Sequence, residues 1–472
     1  MNVSHVAYHD AVCTILLSAF TGTSAASATY SHGHMGMLTA SYGLLRSLAT
    51  LSDRNALVPG CNSQDRSRLQ VVFFSHILYP PACQGSWYRE TSLFVQNLEG
   101  AFYQTSTGAR AMPGGGAKQV EHVRRFAQLR PHAPMWLVSG SFYPLTKVYA
   151  KHVLDSWGQA DHVGIRESSS AHMVREYAPL LKFHTTLDIA LTAPNAFGSS
   201  FLGHMARRHK SLSSAQFTAI LMTSSRHDGF GELVPKLVRA LPTLSTNRSV
   251  RVRMGVPIRD DVQRARDAAA DLPNVVVDVN EGPTPADYLY ELTRANVVIS
   301  ARYHGVVMAS MVSTATVALP AKTGRVAAFV ADAQHPCVHY ADTQRYCHFQ
   351  SNPAPQRHTE DEVRCAADLV MRTASYAMRI CSTASDAAKS SAVMQMRSKA
   401  FKNFPLPSAL THSSPFDGAT EKVDFLELGL QEAYVKSVKD ILACSTEREN
   451  DGCCIDLSNF KAISCKAKAC SD

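Results

Sequence analysis

"VVISARYHGVVMASM" (Val297–Met311) is the stretch that decides how the chain is read. Val297, Val298, Ile299 and Ser300 have the length and character of a short buried strand, and a second apolar run begins at Gly305. A strand passing at once into a helix, here read over Gly305–Val312, is half of a βαβ unit. The connection between them carries Arg302 and His304. In open α/β sheets, ligands lie beyond the carboxyl ends of the strands, where these two residues sit. An arginine offers a planar fork for phosphate or carboxylate. A histidine can carry a proton near neutral pH. The first N–H groups of the following helix are unpaired and favour an anion. The alternative is that Arg302 and His304 merely cap neighbouring elements.

The same alternation extends outward in both directions. Strands are expected at Thr14–Ser18, Val71–Ser75, Met135–Ser139 and His162–Ile165. Helices are expected at Met37–Leu51, Val120–Leu129, Lys147–Ser156 and Ser168–Tyr177, the last capped by Ser168 or Ser169. The signal fades between Thr192 and Ser214, a polar, small-residue stretch read as a linker. It restarts with strands at Phe217–Met222, Val250–Met254, Val275–Val279 and Thr316–Leu319. Helices at Gly231–Ala240, Asp260–Ala270 and Thr284–Ala295 lie among them, the last with a box-like start at Thr284 and Asp287. After about Val338 the strands are expected to stop, leaving helices at Thr359–Ser375, Ser385–Lys402 and Asp424–Ala443. The fold class is therefore α/β, with two Rossmann-like lobes and a C-terminal helical extension. The boundaries fall at 1–205 for the first lobe, 206–345 for the second, and 346–472 for the extension with its Cys-rich tail.

Composition agrees with such a protein. The chain has 472 residues, 45% apolar and 18% charged, enough for two or three packed domains. The net charge of +8 is spread out, with no run of five Lys/Arg, so nucleic acid is not an expected partner. A basic surface of this kind is either simply solvated or draws an anionic small molecule into a cleft. No stretch of 18 apolar residues appears, so no stable membrane span is expected. "AVCTILLSAF" (11–20) followed by small residues reads as a first strand or as a processed leader; the strand is favoured, because the following segments need a first strand beside them. Of twelve cysteines, five crowd the tail, at Cys444, Cys453, Cys454, Cys465 and Cys470. Their spacing matches no zinc site; free thiols are the expected state there, and disulfides the alternative.

Other residues could face the same cleft. Arg166 ends the strand at His162–Ile165 and could meet an anion or pair with Glu167 or Glu176. Arg226 follows the first strand of the second lobe in "TSSR" (223–226). Gly114, Gly115 and Gly116 would let backbone approach a ligand, or simply make a tight turn. Asp188, in "LDIALT" (187–192), could orient a polar ligand or form a turn.

Taken together, "PGGG" (113–116), "VSGSFYPL" (138–145), "GIRESSS" (164–170), "LDIALT", "TSSR", "ISARYHGVVMAS" (299–310) and "VALPAK" (317–322) resemble, in order and spacing, the polysaccharide pyruvyl transferase family. Three features depart from the family's pattern. Its early Asn-x-Gly-Asp loop appears only as "SHGHMG" (31–36), its Arg-Asp pair is Arg166-Glu167, and its "DPAF" segment lacks the Pro and Phe. The resemblance implies a GT-B-like fold and ketal pyruvylation of a sugar diol on a glycan or sugar acceptor. Phosphoenolpyruvate would be the co-substrate, with no other cofactor and no metal. It implies Arg302 and Arg166 on the donor's anionic groups, and His304 in phosphate contact or proton transfer. Gly114–Gly116, Asp188, Arg226 and Lys322 would contact substrate. A nucleotide-sugar glycosyltransferase and a non-catalytic carbohydrate- or anion-binding homologue remain alternatives. A cytoplasmic setting is favoured, with the secretory pathway as the alternative.

Overall fold

Short apolar runs, bounded by turns and separated by amphipathic stretches, assemble here as two parallel sheets. The computed structural model describes residues 13–19, 39–40, 43–44, 47–48, 69–75, 88, 91–98, 102–103, 114–196, 216–222, 230–245, 249–255, 259–279, 285–320, 324–349, 358–405, 453–456 and 461–464. The first lobe contains β1 (Cys13–Ala19), β2 (Leu69–Ser75), β3 (Leu93–Asn97), β4 (Phe102–Tyr103), α1 (Gly114–Leu129), β5 (Met135–Gly140) and β6 (Phe142–Tyr143). It continues through α2 (Lys147–Trp157), β7 (His162–Ile165), α3 (Ser168–Tyr177), β8 (His184–Thr185) and a 3-10 segment, Ile189–Ala196. Its parallel strands run in the order β2-β1-β3-β5-β7-β8, and β4 and β6 form a separate parallel pair. β3, β5 and β7 are buried along their whole length, as strands covered by helices on both faces must be.

The second lobe contains β9 (Phe217–Met222), α4 (Phe230–Ala240), β10 (Val250–Met254), α5 (Arg259–Ala269), β11 (Val275–Val279) and α6 (Pro285–Thr293). β12 (Val297–Ser300), α7 (Tyr303–Met311), β13 (Thr316–Ala318), α8 (Arg325–Ala333), β14 (Val338–Tyr340) and α9 (Thr343–Cys347) follow. Its strand order is β11-β10-β9-β12-β13-β14. All neighbours in it are parallel, but successive strands are added outward on one side from β9 to β11 and on the other from β12 to β14, so the winding reverses between β9 and β12. This is a Rossmann order, and in such sheets the ligand crevice lies beyond the carboxyl ends of the two strands at the reversal.

Two long helices complete the chain's path. α10 (Glu360–Thr383) starts with a full capping box between Thr359 and Glu362 and packs on the second lobe. α11 (Asp386–Phe401) crosses back and packs on Ile189–Ala196 of the first lobe and on α8. One apolar cluster therefore runs through both lobes, from Leu17 and Trp136 through Leu191, Met222 and Val306 to Met396 and Phe404. This is the two-lobed α/β class expected, closed by a returning C-terminal helix.

Several elements differ from expectation. The glycine run does not precede a helix at Val120; Gly114 begins it. Glycine's poor helix propensity matters least in a first turn, where no intrahelical N–H bond is yet required. His304 lies in the first turn of α7, which starts at Tyr303 rather than Gly305. α3 is capped by Glu167, without a side-chain cap bond, and neither Ser168 nor Ser169 takes that place. Strands do not stop at Val338: β14 begins there, and the tail adds β15 (Cys453–Asp456) and β16 (Lys461–Ser464), which extend the first sheet antiparallel beside β2. The expected helix at Asp424–Ala443, the linker beyond Ala196 and Thr284 lie outside the described residues. Of Met37–Leu51, residues 39–40, 43–44 and 47–48 are described and are helical.

Two disulfides staple α10 to the second lobe. Cys337–Cys381 ties its last turn to the start of β14, and Cys347–Cys365 ties its first half to α9. Their loops span 44 and 18 residues, worth about 4 and about 3 kcal/mol respectively in the chain-entropy account. Replacing Cys337 and Cys381 by alanine is expected to lower unfolding free energy by about 4 kcal/mol. Denaturant titration with and without reductant checks it: reductant should destabilise the parent chain more than the variant.

Candidate active site between the two lobes

The site is built around one guanidinium. Arg166, at the carboxyl end of β7, is 1% exposed. Its Nε donates to Ser141 Oγ (2.6 Å) and Glu167 Oε1 (2.8 Å), and its Nη1 donates to Asp188 Oδ2 (2.7 Å). The Tyr303 ring of the second lobe covers it, 4.2 Å from the guanidinium carbon. A buried charge is tolerated only when paired and hydrogen-bonded, and here both conditions hold. Burial alone would favour the neutral form of Arg166, but the carboxylates of Glu167 and Asp188 hold it firmly protonated. Glu167 also accepts from the hydroxyls of Ser141 (2.5 Å) and Ser170 (3.1 Å). That explains why Glu167 is the N-cap of α3 yet makes no side-chain cap bond. Burial pushes the Glu167 carboxyl up, against the pull of Arg166.

Asp188 joins the lobes. Burial opposes its ionisation, but Arg166, His304 and the Ala190 N–H (2.8 Å) together hold it well below the usual carboxylate range. His304 Nε2 stands 3.5 Å from Asp188 Oδ2. Burial lowers the His304 pKa, Asp188 raises it in part, and Arg166 and Arg325 lower it further. The resting imidazole is therefore neutral at neutral pH. The adjacent carboxylate favours the proton on Nε2, which leaves Nδ1 as the basic nitrogen.

Arg302 occupies the other side of the same turn. It is the N-cap residue of α7, and its N–H donates to Ser300 Oγ (3.1 Å), whose hydroxyl returns to Arg302 O (3.0 Å). Its charge acts on the hydroxyl of Tyr288, which donates to Gly255 O (3.1 Å) just past β10. Arg302 thus faces the carboxyl ends of β9 and β10, at the reversal point of the second sheet. The backbone must come close here. A Cβ on Gly305 would lie 2.5 Å from both Met222 Sδ and Ser300 Oγ, so only glycine fits.

The expected residues are thus partly gathered. Arg166, Asp188 and His304 form one chain of contacts across the lobes. Arg302 stands at the same helix start but faces the second sheet, and it is Tyr303 that meets Arg166. Gly114, Gly115 and Gly116 form the first turn of α1. Arg226 and Lys322 lie outside the described residues. Sequence reading missed Tyr303 and Arg325. Tyr303 is 4% exposed, and its hydroxyl has no partner among the described residues; burial raises its pKa well above 10, so it remains a donor. Arg325 opens α8 after Gly324, a left-handed N-cap that gives no side-chain bond. Its Nε is buried without a partner among the described residues, and its guanidinium lies 5.8 Å from the Tyr303 ring. Arg325 follows the "VALPAK" segment by three residues, and its place one position into a glycine-headed helix was the available signal. Among the described residues no group of three His, Cys, Asp or Glu could hold a metal, and no helix is long and apolar enough to cross a membrane.

Comparison with known proteins bears on this region directly. Residues 112–322, which hold Arg166, Asp188, Arg302, Tyr303 and His304, match the family described as polysaccharide pyruvyl transferase. No curated protein matches the chain. Among solved structures, a putative UDP-N-acetylglucosamine 2-epimerase from Listeria monocytogenes is similar at 9% identity and TM-score 0.46, covering 84% of this chain and 98% of its own. A UDP-GlcNAc 2-epimerase from Neisseria meningitidis bound to UDP-GlcNAc gives 9% and 0.46, covering 82% and 100%. MurG from Acinetobacter baumannii gives 13% and 0.37, covering 81% and 99%.

Removing one partner of the buried pair should be costly. Asp188→Asn leaves Arg166 one carboxylate short, with an expected loss of about 3–5 kcal/mol in denaturant unfolding. Replacing the whole cluster, Arg166→Met with Glu167→Gln and Asp188→Leu, should cost less than Asp188→Asn alone, because no buried charge is then left without a partner. Acid should also destabilise the chain. His304 is held below its ordinary 6.5, and His162 and His335 are pushed down to about 4 by burial. The unfolded chain therefore binds more protons below pH 6.5, and stability falls as pH drops from there towards 4. Thermal unfolding followed across that window checks it; a flat profile would contradict the buried neutral histidines.

Proposed function

We propose that this chain transfers a pyruvyl group from phosphoenolpyruvate to a sugar diol, closing a cyclic ketal and releasing phosphate. The observation that carries the reading is the group of donors at the start of α7. His304, the Tyr303 hydroxyl, Arg325 and Arg302 lie around the reversal point of the second sheet, within or beside the span that matches the pyruvyl transferase family. Phosphoenolpyruvate carries a phosphate and a carboxylate, the two groups that guanidiniums and helix N-termini accommodate.

Charge decides which arginines meet it. Arg166 is already neutralised by Glu167 and Asp188, so it holds the site's shape rather than the donor. Arg302 and Arg325, with the starts of α7 and α8, take the anionic groups. Arg226 and Lys322 are further candidates for the same charge. Donor binding places negative charge beside the neutral His304 and raises its pKa. The imidazolium so formed protonates the methylene carbon, giving a methyl group and a cationic C2. A sugar hydroxyl attacks C2, and its proton returns to His304. Phosphate leaves, a second hydroxyl closes the ring at C2, and that proton departs with the phosphate. The acceptor enters from the first lobe, where Gly114–Gly116 open α1. The two disulfides support an oxidising, secretory-pathway setting over the cytoplasm.

Phosphoenolpyruvate at 100 times its Kd should stabilise the protein by about 2.7 kcal/mol, read as a rise in Tm. His304→Ala should reduce phosphate release by roughly a hundredfold or more, and Arg302→Ala should weaken donor binding. Stabilisation by a UDP-sugar and not by phosphoenolpyruvate would replace this reading with nucleotide-sugar transfer. Stabilisation by neither would favour a non-catalytic binding protein.

A further inference from the structure

The residues that place Asp188 come partly from the far end of the chain. We infer that Asn403, at the end of the crossing helix α11 and outside the family-matched span, is a positioning residue that fixes the Thr186–Ile189 segment so that Asp188 meets His304. This rests on the reading of His304 as the proton carrier.

Asn403 is wholly buried, and its carboxamide is fully used. Oδ1 accepts from Ser139 N–H (2.7 Å) and lies 3.1 Å from Thr186 Oγ1. Nδ2 donates to Leu187 O (2.8 Å) and to Ala400 O (2.7 Å). An amide side chain offers two donor and two acceptor positions, and all four are filled. The partners are particular. Leu187 immediately precedes Asp188. Ser139 is one of the few non-glycine residues at positive φ (57°), and its hydroxyl accepts from Ile189 N–H (3.3 Å). The backbone on both sides of Asp188 is thus held by Asn403, once directly and once through Ser139. Only a glycine could sit opposite: a Cβ on Gly164 would lie 2.4 Å from Asn403 Oδ1.

The same turn of α11 also reaches the second lobe. Lys399 Nζ donates to Asp332 O (2.7 Å) on α8, and Asp332 Oδ2 accepts from Ser168 N–H (2.8 Å) beside Glu167. The end of α11 therefore references both lobes at the place where Asp188 and His304 meet. A helix serving only to cover the first lobe would need apolar contacts there, not a carboxamide saturated by active-site backbone.

Asn403→Ala removes the two bonds to Ser139 and Leu187 and lets Asp188 withdraw from His304. His304 faces Asp188 and Arg166 from the first lobe and Arg325 from α8, with Tyr303 beside it on its own helix. Of these charges only Asp188 raises its pKa, so loosening Asp188 should lower that value. The test is an imidazole NMR titration of histidine-labelled full-length protein, with the His304 signal assigned by its loss in His304→Gln. Gly164→Ala is the companion variant, since it displaces the carboxamide without touching Asp188 or His304. Both variants should titrate below the parent, and phosphate release should fall in kcat by about a hundredfold with the KM for phosphoenolpyruvate little changed. A folded Asn403→Ala or Gly164→Ala protein with an unaltered His304 titration would overturn the positioning role. A chain inert towards phosphoenolpyruvate, yet with His304 shifted in both variants, would remove the pyruvyl reading and leave the positioning role in place.

Discussion

The buried guanidinium of Arg166 is the constraint on which the rest of the site depends. A cation removed from water is expensive, and it persists only where carboxylates and hydrogen-bond acceptors are held at fixed positions around it. Here that requirement specifies the geometry of four separate segments: Ser141 after β5, Glu167 at the start of α3, Asp188 in the turn before Ile189, and Tyr303 from the other lobe. Each segment is a loop or helix end at the carboxyl edge of a sheet, where backbone would otherwise be free to vary. The ion cluster adds little net stability by itself, because pairing mostly offsets desolvation. Its effect is to make one arrangement of these loops much better than its neighbours.

The two lobes are related through the C-terminal helices. α10 is fixed to the second lobe at both ends by disulfides, and α11 begins at Asp386, directly after it. The chain therefore leaves the second lobe from a rigid base and ends α11 against first-lobe residues. Lys399, Lys402 and Asn403 all contact backbone or side chains near β7, α8 and the Asp188 turn. The apolar cluster that spans both lobes gives the same result in packing terms, since Met396, Phe401 and Phe404 belong to it together with Trp136 and Val306.

Strands bounded by clear turns were legible in the sequence. His162–Ile165, Phe217–Met222, Val250–Met254, Val275–Val279 and Val297–Ser300 are found with the expected limits, because each is a compact run of β-formers between polar breaks. β3 was not, because "LFVQN" ends in Gln96 and Asn97, polar residues that are nonetheless fully buried. α8 was missed because it is short and starts with an arginine. The tail strands are short and gain their place by pairing, β15 with β2 and β16 with β15, and the contact with β2 is a long-range effect that no local pattern carries. The same limit applies to the site. "GIRESSS" reads locally as a strand end followed by a serine-capped helix, with Arg166 meeting an anion or pairing with Glu167 or Glu176. The burial of Arg166 depends on Asp188, 22 residues on, and on Tyr303 from another lobe. Which of two adjacent residues, Arg302 or Tyr303, meets Arg166 is set by the direction of α7, not by composition.

The charge balance of the cluster bears on how the proposed reaction would be timed. The described charges around His304 are three guanidiniums, Arg166, Arg325 and Arg302, against two carboxylates, Glu167 and Asp188. The resting site therefore carries about one positive charge beside a neutral His304, and a proton on His304 is opposed by burial and by Arg166 and Arg325. Adding a multiply charged donor reverses that balance. The nearest group able to respond by taking a proton is His304, because the arginines are already charged and the Tyr303 hydroxyl is held neutral by burial. Under the proposed chemistry the general acid would thus form on donor binding, beside the carbon it must protonate, and would be absent from the empty site. Asp188 sets how readily this happens: close to Nε2 it stabilises the imidazolium, and withdrawn it leaves a base too weak to charge.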